Sequence, residues 1–248
     1  MSINKANKKL PSYLDFIYGD LYKNPSACKK ADSFWNCHLR TLFQYNTLVR
    51  ALLKEIKLNN QVIQFGITFG NQIEETALTI GVNSQYDIID ICGSEINRVN
   101  QKYKRSFPKM LLHHQDARTV KSEYLYDVAI CFMVLSQIPP ASKRSMINNA
   151  LKMVKPGGKV IFIDWHKPLY YHPLRYVVRM YNRLNHPFAE RLWDRDINSY
   201  ADTELRSMFS WRKTTYFGRM FQKCVAIRKE DPSKSLPPAF DDTPVEFI

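Results

Sequence analysis

Hydrophobic residues change their rhythm twice along this chain. Over Ser33–Lys57, Leu39, Leu42, Phe43, Leu48, Leu52, Leu53 and Ile56 recur near a helical period. That pattern predicts one amphipathic helix with Asp32 or Ser33 at its start, and Pro11–Tyr22 reads as a shorter helix before it. Short apolar runs then alternate with helical stretches. The runs Val62–Phe65, Tyr86–Ile91, Met110–His113, Tyr126–Phe132 and Val160–Asp164 have strand length. Asn71–Ile80, Ser94–Tyr103 and Ser142–Val154 between them read as helices. Such alternation predicts a parallel sheet covered on both faces. After Trp165 the rhythm breaks again: helices are expected over Pro173–Leu184, Ala189–Asp196 and Thr203–Phe209. Strands Arg212–Phe217 and Phe221–Arg228 follow, turning at Gly218 and Arg219.

Lys155-Pro156-Gly157-Gly158-Lys159 reads as a helix end and a glycine turn feeding the fifth strand. Five parallel strands, a helical insertion and a terminal β-hairpin describe an α/β, Rossmann-like sheet of class I methyltransferase topology. The expected organisation is a tail with N-terminal helices over 1–58, a core over 59–230 with its insertion at 165–210, and a tail over 231–248. Residues 1–10 and the Pro-rich Asp231–Ile248 are expected to order poorly.

In open parallel sheets ligands bind beyond the carboxyl ends of the strands. Three loops there carry suitable residues. Gly66 and Gly70, with Phe69-Gly70-Asn71 leading into a helix, let backbone approach a ligand. Asp90 ends the second strand, where a carboxylate accepts hydrogen bonds from ribose hydroxyls. Gln115-Asp116-Ala117 follows the third strand and places an acid for an adenine amino group. Phe132 closes the fourth strand beside them, and Asp127, at the opposite end of that strand, reads as structural. Two carboxylates repel phosphate, and no GxxxxGK[ST] loop is present. S-adenosyl-L-methionine, an adenosine with a compact amino-acid tail, satisfies the set.

Composition narrows the partners only partly. The chain has 248 residues, with 36 Lys and Arg against 23 Asp and Glu, a net charge of +13. The surplus points to an anionic partner: a membrane surface, a nucleic acid or an acidic substrate. Arg175, Arg179 and Arg183 share one helix face beside Val177, Val178, Met180, Tyr181 and Leu184, an arrangement suited to anionic lipid or to a solvated face. Nucleic acid ranks below these, because no nucleic-acid motif accompanies the basic residues. Cys28, Cys37, Cys92, Cys131 and Cys224 form no CxxC pair, which fits a reducing cytoplasm. No signal core or apolar run of membrane-spanning length occurs, so a cytoplasmic protein is expected, peripheral to the inner membrane if it meets one.

The insertion carries Asp164-Trp165-His166-Lys167-Pro168, His172-Pro173-Leu174-Arg175, Pro187-Phe188-Ala189-Glu190-Arg191-Leu192-Trp193 and Phe217-Gly218-Arg219-Met220-Phe221-Gln222-Lys223. With Leu10-Pro11-Ser12-Tyr13-Leu14, these stretches resemble the rhodoquinone-biosynthesis methyltransferase-like family over about Leu10 to Arg228. The resemblance implies conversion of a ubiquinone head group by methoxy-to-amino exchange, with S-adenosylmethionine and a divalent metal such as manganese. It places Asp90 and Asp116 on the cofactor and Asp164, His166 and His172 at the quinone site. Where relatives read Leu-His-Glu-Leu/Ile-Pro, this chain has Leu135-Ser136-Gln137-Ile138-Pro139, which removes a titratable pair. Without the family, Asp164 and His166 admit three readings: metal ligands, a base with its orienting carboxylate, or a structural pair. His113 and His114 read as a surface edge, and His38 and His186 have no acidic neighbour that singles them out. A conventional methyltransferase of a protein or small metabolite, and a methyltransferase-like binding protein without turnover, stand beside the quinone reading.

Overall fold

A computed structural model describes residues 30–230 except Glu123, together with Pro11, 13–15, Gly19 and Ser26. Both expected tails, Cys28 and most of the Pro11–Tyr22 helix lie outside the described residues. Helices α1 (Phe34–Arg40) and α2 (Tyr45–Leu53) precede β1 (Val62–Phe65), α3 (Gln72–Ile80), β2 (Tyr86–Asp90), α4 (Gly93–Tyr103), β3 (Met110–His114) and β4 (Tyr126–Phe132). Then come α5 (Pro140–Lys152), β5 (Val154–Trp165), α6 (Arg175–Asn185), α7 (Arg191–Asp194), α8 (Thr203–Ser207), β6 (Phe209–Tyr216) and β7 (Phe221–Arg228). The seven strands lie in the order β3-β2-β1-β4-β5-β7-β6. β1 to β5 pair in parallel, and β7 runs antiparallel between β5 and β6.

Strict alternation along the central strands sorts the core into two layers. Val128, Ile130, Ile161 and Ile163 pack with α2, α3 and α4 on one face. Ala129, Cys131, Val160 and Phe162 pack with α5 on the other. All eight are at most 1% exposed, so each large aliphatic one contributes on the order of 2 kcal/mol of burial. Reversal of strand order between β1 and β4 opens the crevice in which such sheets bind ligands.

Four expectations are corrected. The single helix over Ser33–Lys57 is two helices, because Leu42 and Phe43 adopt left-handed φ angles of 51° and 61°. Leu39 and Phe43, assigned to the apolar inner face, are 62% and 60% exposed. Ser33 makes no capping bond; Asp32 instead accepts the Gly70 N–H at 2.7 Å. Finally, Lys155–Gly158 does not precede the fifth strand but bulges within it. Tyr126 pairs with Val154 and Val128 with Lys159, so two steps on β4 match five on β5. Gly157 turns the bulge with φ 76°.

Candidate active site

Two clefts lie side by side at the carboxyl edge of the sheet. The first spans about 590 Å³, open to solvent, and is lined by Gly66, Ile67, Asp90, Cys92, Asp116, Ala117, Arg118, Gln137, Ile138 and Met146, among others. Asp90 sits at the end of β2, and its two oxygens accept the N–H groups of Ile67 and Cys92, each at 2.7 Å. Burial outweighs these donors and pushes the Asp90 carboxyl up to about 6. Asp116 is gripped by Arg118, whose Nε lies 2.9 Å from Oδ1 and 3.0 Å from Oδ2.

The glycine loop is held from behind by buried polar groups. Gln64 on β1 donates to the Gly66 carbonyl at 3.0 Å and exchanges hydrogen bonds with Gln72 on α3. Tyr86 also donates to Gln64, Thr68 donates to Gln72, and Gln72 donates to Thr76. From the N-terminal helices, the Tyr45 hydroxyl donates to the Phe69 carbonyl at 3.1 Å and accepts the Gln72 N–H at 2.9 Å. Arg98 reaches the Thr68 carbonyl and pairs with Asp32 at 2.8 Å. At Gly66, φ is 89° and an added Cβ would lie 2.9 Å from Val134 Cγ2, so only glycine fits.

The second cleft, about 600 Å³, shares Ile67 and Gln137 with the first. Its walls include Cys37, Arg40, Thr41, Tyr45, Thr68, Phe69, Phe132, Met133 and His186. The guanidinium groups of Arg98 and Arg40 lie 5.0 and 5.6 Å from the centre of the Phe69 ring. Met133 holds a left-handed φ of 54° where β4 ends, and Gln137 donates to its carbonyl at 2.8 Å. Burial, with Arg40 contributing, pushes the His186 imidazole down to about 4, so it is uncharged near neutrality. Burial likewise pushes the Cys37 thiol up to about 11, which leaves it inert.

Of the cofactor residues expected from sequence, Gly66, Asp90, Asp116 and Ala117 line the first cleft and Phe132 the second. Gly70 lines neither; its N–H is tied to Asp32, and its backbone passes against the Tyr45 ring. Asp127 accepts the Gln61 N–H at 2.7 Å, away from both clefts.

Asp164, His166 and His172 line neither cleft and form no group that could hold a metal ion. Asp164 is wholly buried, and its oxygens accept the N–H groups of Trp165 at 2.7 Å and Ser136 at 3.1 Å. It therefore anchors the Leu135–Gln137 turn that carries Gln137 into both clefts. The His166 Nδ1 lies 3.0 Å from the Arg219 carbonyl and 3.1 Å from that of Lys167. His172 packs edge-on to Phe217 at the β6–β7 turn, and its Nδ1 accepts the Leu174 N–H. Among the described residues, no group of three or more His, Cys, Asp or Glu could hold a metal ion. The divalent metal thus finds no ligand set at Asp164 and His166.

Sequence reasoning missed Arg40, Tyr45 and His186. They come from helices outside the alternating core, and only the docking of those helices brings them to the cleft.

Residues 62–158 match the family model described as a methyltransferase domain. No curated protein matches the chain. Among solved structures, the N-methyltransferase NodS from Bradyrhizobium japonicum WM9, in complex with S-adenosyl-L-homocysteine, superposes with a TM-score of 0.60 at 16% identity, covering 89% of this chain and 100% of that one. An O-methyltransferase family protein from Burkholderia thailandensis gives 0.62 at 13% identity, covering 88% and 64%. Magnesium protoporphyrin IX methyltransferase from Synechocystis PCC 6803 gives 0.56 at 14%, covering 87% and 99%. The chain carries a methyltransferase domain and is an enzyme of class I S-adenosylmethionine-dependent methyltransferase architecture.

Proposed function

We propose that the protein transfers a methyl group from S-adenosylmethionine to an oxygen or nitrogen of a small, partly aromatic acceptor bound in the second cleft. The observation that carries this reading is the pairing of an acid-bearing cleft with an apolar one across the shared wall of Ile67 and Gln137. The first cleft suits the adenosine: each Asp90 oxygen keeps a lone pair for a ribose hydroxyl, and Asp116 stands where an adenine amino group donates. Ile67, Ile138 and Met146 give the base apolar contact. S-adenosylmethionine, when bound, supplies an activated methyl group.

The protein's part is orientation and the handling of one proton. Phe69, Phe132 and Met133 give the second cleft apolar walls that displace water from around a bound acceptor. Arg40 offers a cation to a carboxylate there, and neutral His186 accepts a hydrogen bond from the acceptor's O–H or N–H and takes the proton as the new bond forms. A small acceptor accords with methyltransferases of similar fold that act on small molecules, such as magnesium protoporphyrin IX methyltransferase. A quinone-type ring fits the aromatic walls, but the methoxy-to-amino exchange implied by the family resemblance lacks its metal ligands among the described residues.

The test is titration of the full chain with S-adenosylhomocysteine, followed by transfer from methyl-labelled S-adenosylmethionine to a panel of phenols, quinols and amines. Binding with labelled product on one acceptor class supports the reading. Binding without product across the panel supports a binding protein, and absence of binding removes the cofactor assignment.

A further inference from the structure

Helix α6 turns an apolar stripe toward solvent. Tyr176, Val177, Met180 and Leu184 are 75%, 53%, 62% and 75% exposed. At about 100° per residue they fall within an arc of about 100°. The inward side of the same helix buries only Val178 and Asn182. A surface helix ordinarily points its stripe at the core, so α6 is inverted. Helix α1 and the turn after it repeat the pattern, with Trp35, Leu39 and Phe43 exposed by 60% or more.

Both helices border the second cleft. α1 supplies Cys37 and Arg40 to its wall, and His186 caps the end of α6 there. The arginines expected to form a basic face sit along one edge of the α6 stripe. Arg179 and Arg183 share the single carboxylate of Glu190, at 3.2 and 2.9 Å, so this cluster keeps a net positive charge.

We infer that this face is a docking surface for an anionic lipid bilayer, with α6 lying in the interface and the second cleft opening toward the lipid. Charge chooses the occupant. A chain of net charge +13 repels a second copy of itself and is drawn to anionic headgroups. The aromatic residues exposed here, Tyr170, Tyr171, Tyr176 and Trp35, are types enriched where headgroups meet acyl chains. Docking itself stands on α1 and α6; that the bilayer delivers the methyl acceptor rests on the reading of the second cleft given above.

The test is co-sedimentation of the full chain with phosphatidylcholine vesicles, with and without phosphatidylglycerol, and with the double variant Met180→Glu/Leu184→Glu. Expected is binding to the anionic vesicles that weakens several-fold between about 0.1 and about 0.5 M salt, with neutral vesicles binding at least about tenfold less. The variant is expected to lose about tenfold or more of the binding while keeping its melting temperature and its affinity for S-adenosylhomocysteine. Folded wild-type protein that stays in the supernatant, or binds both vesicle types equally, overturns the proposal. So does a wild-type dimer in light scattering that the double variant abolishes, since the stripe is then an interface between copies. Vesicle binding by protein that fails to bind S-adenosylhomocysteine leaves the surface standing and removes the cofactor reading instead.

Discussion

Asp90 makes cofactor affinity a function of pH, and the size of the effect follows from its surroundings. Burial raises its carboxyl to about 6 from an ordinary 3.8, against the pull of two backbone donors at 2.7 Å. Only the carboxylate accepts from both ribose hydroxyls while keeping those donors. At pH 7.5 nearly all molecules carry it; at pH 5 about one in ten does, so affinity falls about tenfold, or about 1.4 kcal/mol. Asp90→Asn removes two charge-assisted hydrogen bonds of about 1.5 kcal/mol each, which is about a hundredfold. Its residual affinity is expected to be flat from pH 5 to 8. The raised value also fixes the sign of the apo protein's stability. The native state holds the Asp90 proton more tightly, so this residue contributes stability below 3.8 that is lost as pH rises through about 6, roughly 3 kcal/mol as an upper bound. Calorimetric titration with S-adenosylhomocysteine from pH 5 to 8 reads the first effect. Wild-type affinity that does not change over that range, or an Asn variant that binds as wild type, refutes the reasoning.

Other perturbations test the scaffold. Tyr45→Phe strands the Gln72 N–H and the Phe69 carbonyl and is expected to cost about 1–3 kcal/mol, read as a lower urea midpoint together with weaker S-adenosylhomocysteine binding. Gly70→Ala sets a Cβ against the Tyr45 hydroxyl at a φ of 92° and is expected to lose about 2 kcal/mol or more, seen as a fall of roughly 5 °C in melting temperature. Glu55 accepts from buried Lys223 at 2.6 Å and Arg212 at 2.8 Å, and although burial opposes them these cations hold its carboxyl below 4.5. Its contribution is whole above pH 4.5 and drains as pH falls below that value. Glu55→Ala is therefore expected to cost about 3 kcal/mol at pH 7 and much less near pH 3, measured by denaturant unfolding at both pH values.

The parallel sheet was legible because a strand buried on both faces must be continuously apolar, and Val128–Phe132 and Val160–Ile163 are. Topology then places Asp90, Asp116 and Gly66 at strand ends, so part of the first cleft's lining could be read with no knowledge of packing. Periodicity hid the break between α1 and α2, since Leu42 and Phe43 are ordinary helix-compatible residues that adopt left-handed angles only because the fold turns there. At Asp164 and His166, chemistry-bearing types that suggested a site, the polar atoms bond to the backbone of neighbouring turns. His186 had no sequence signal at all. Its place in the second cleft, which Arg40, Phe132 and Met133 also line, comes from segments more than 50 positions apart.

Diffraction from crystals grown with S-adenosylhomocysteine tests the central claim most directly. The account predicts ribose hydroxyls about 3 Å from the Asp90 oxygens, the adenine beside Asp116 and Ala117, and the sulfur facing Met133 and His186 across the wall of Ile67 and Gln137. A ligand bound elsewhere, or a sulfur turned away from the second cleft, would contradict it.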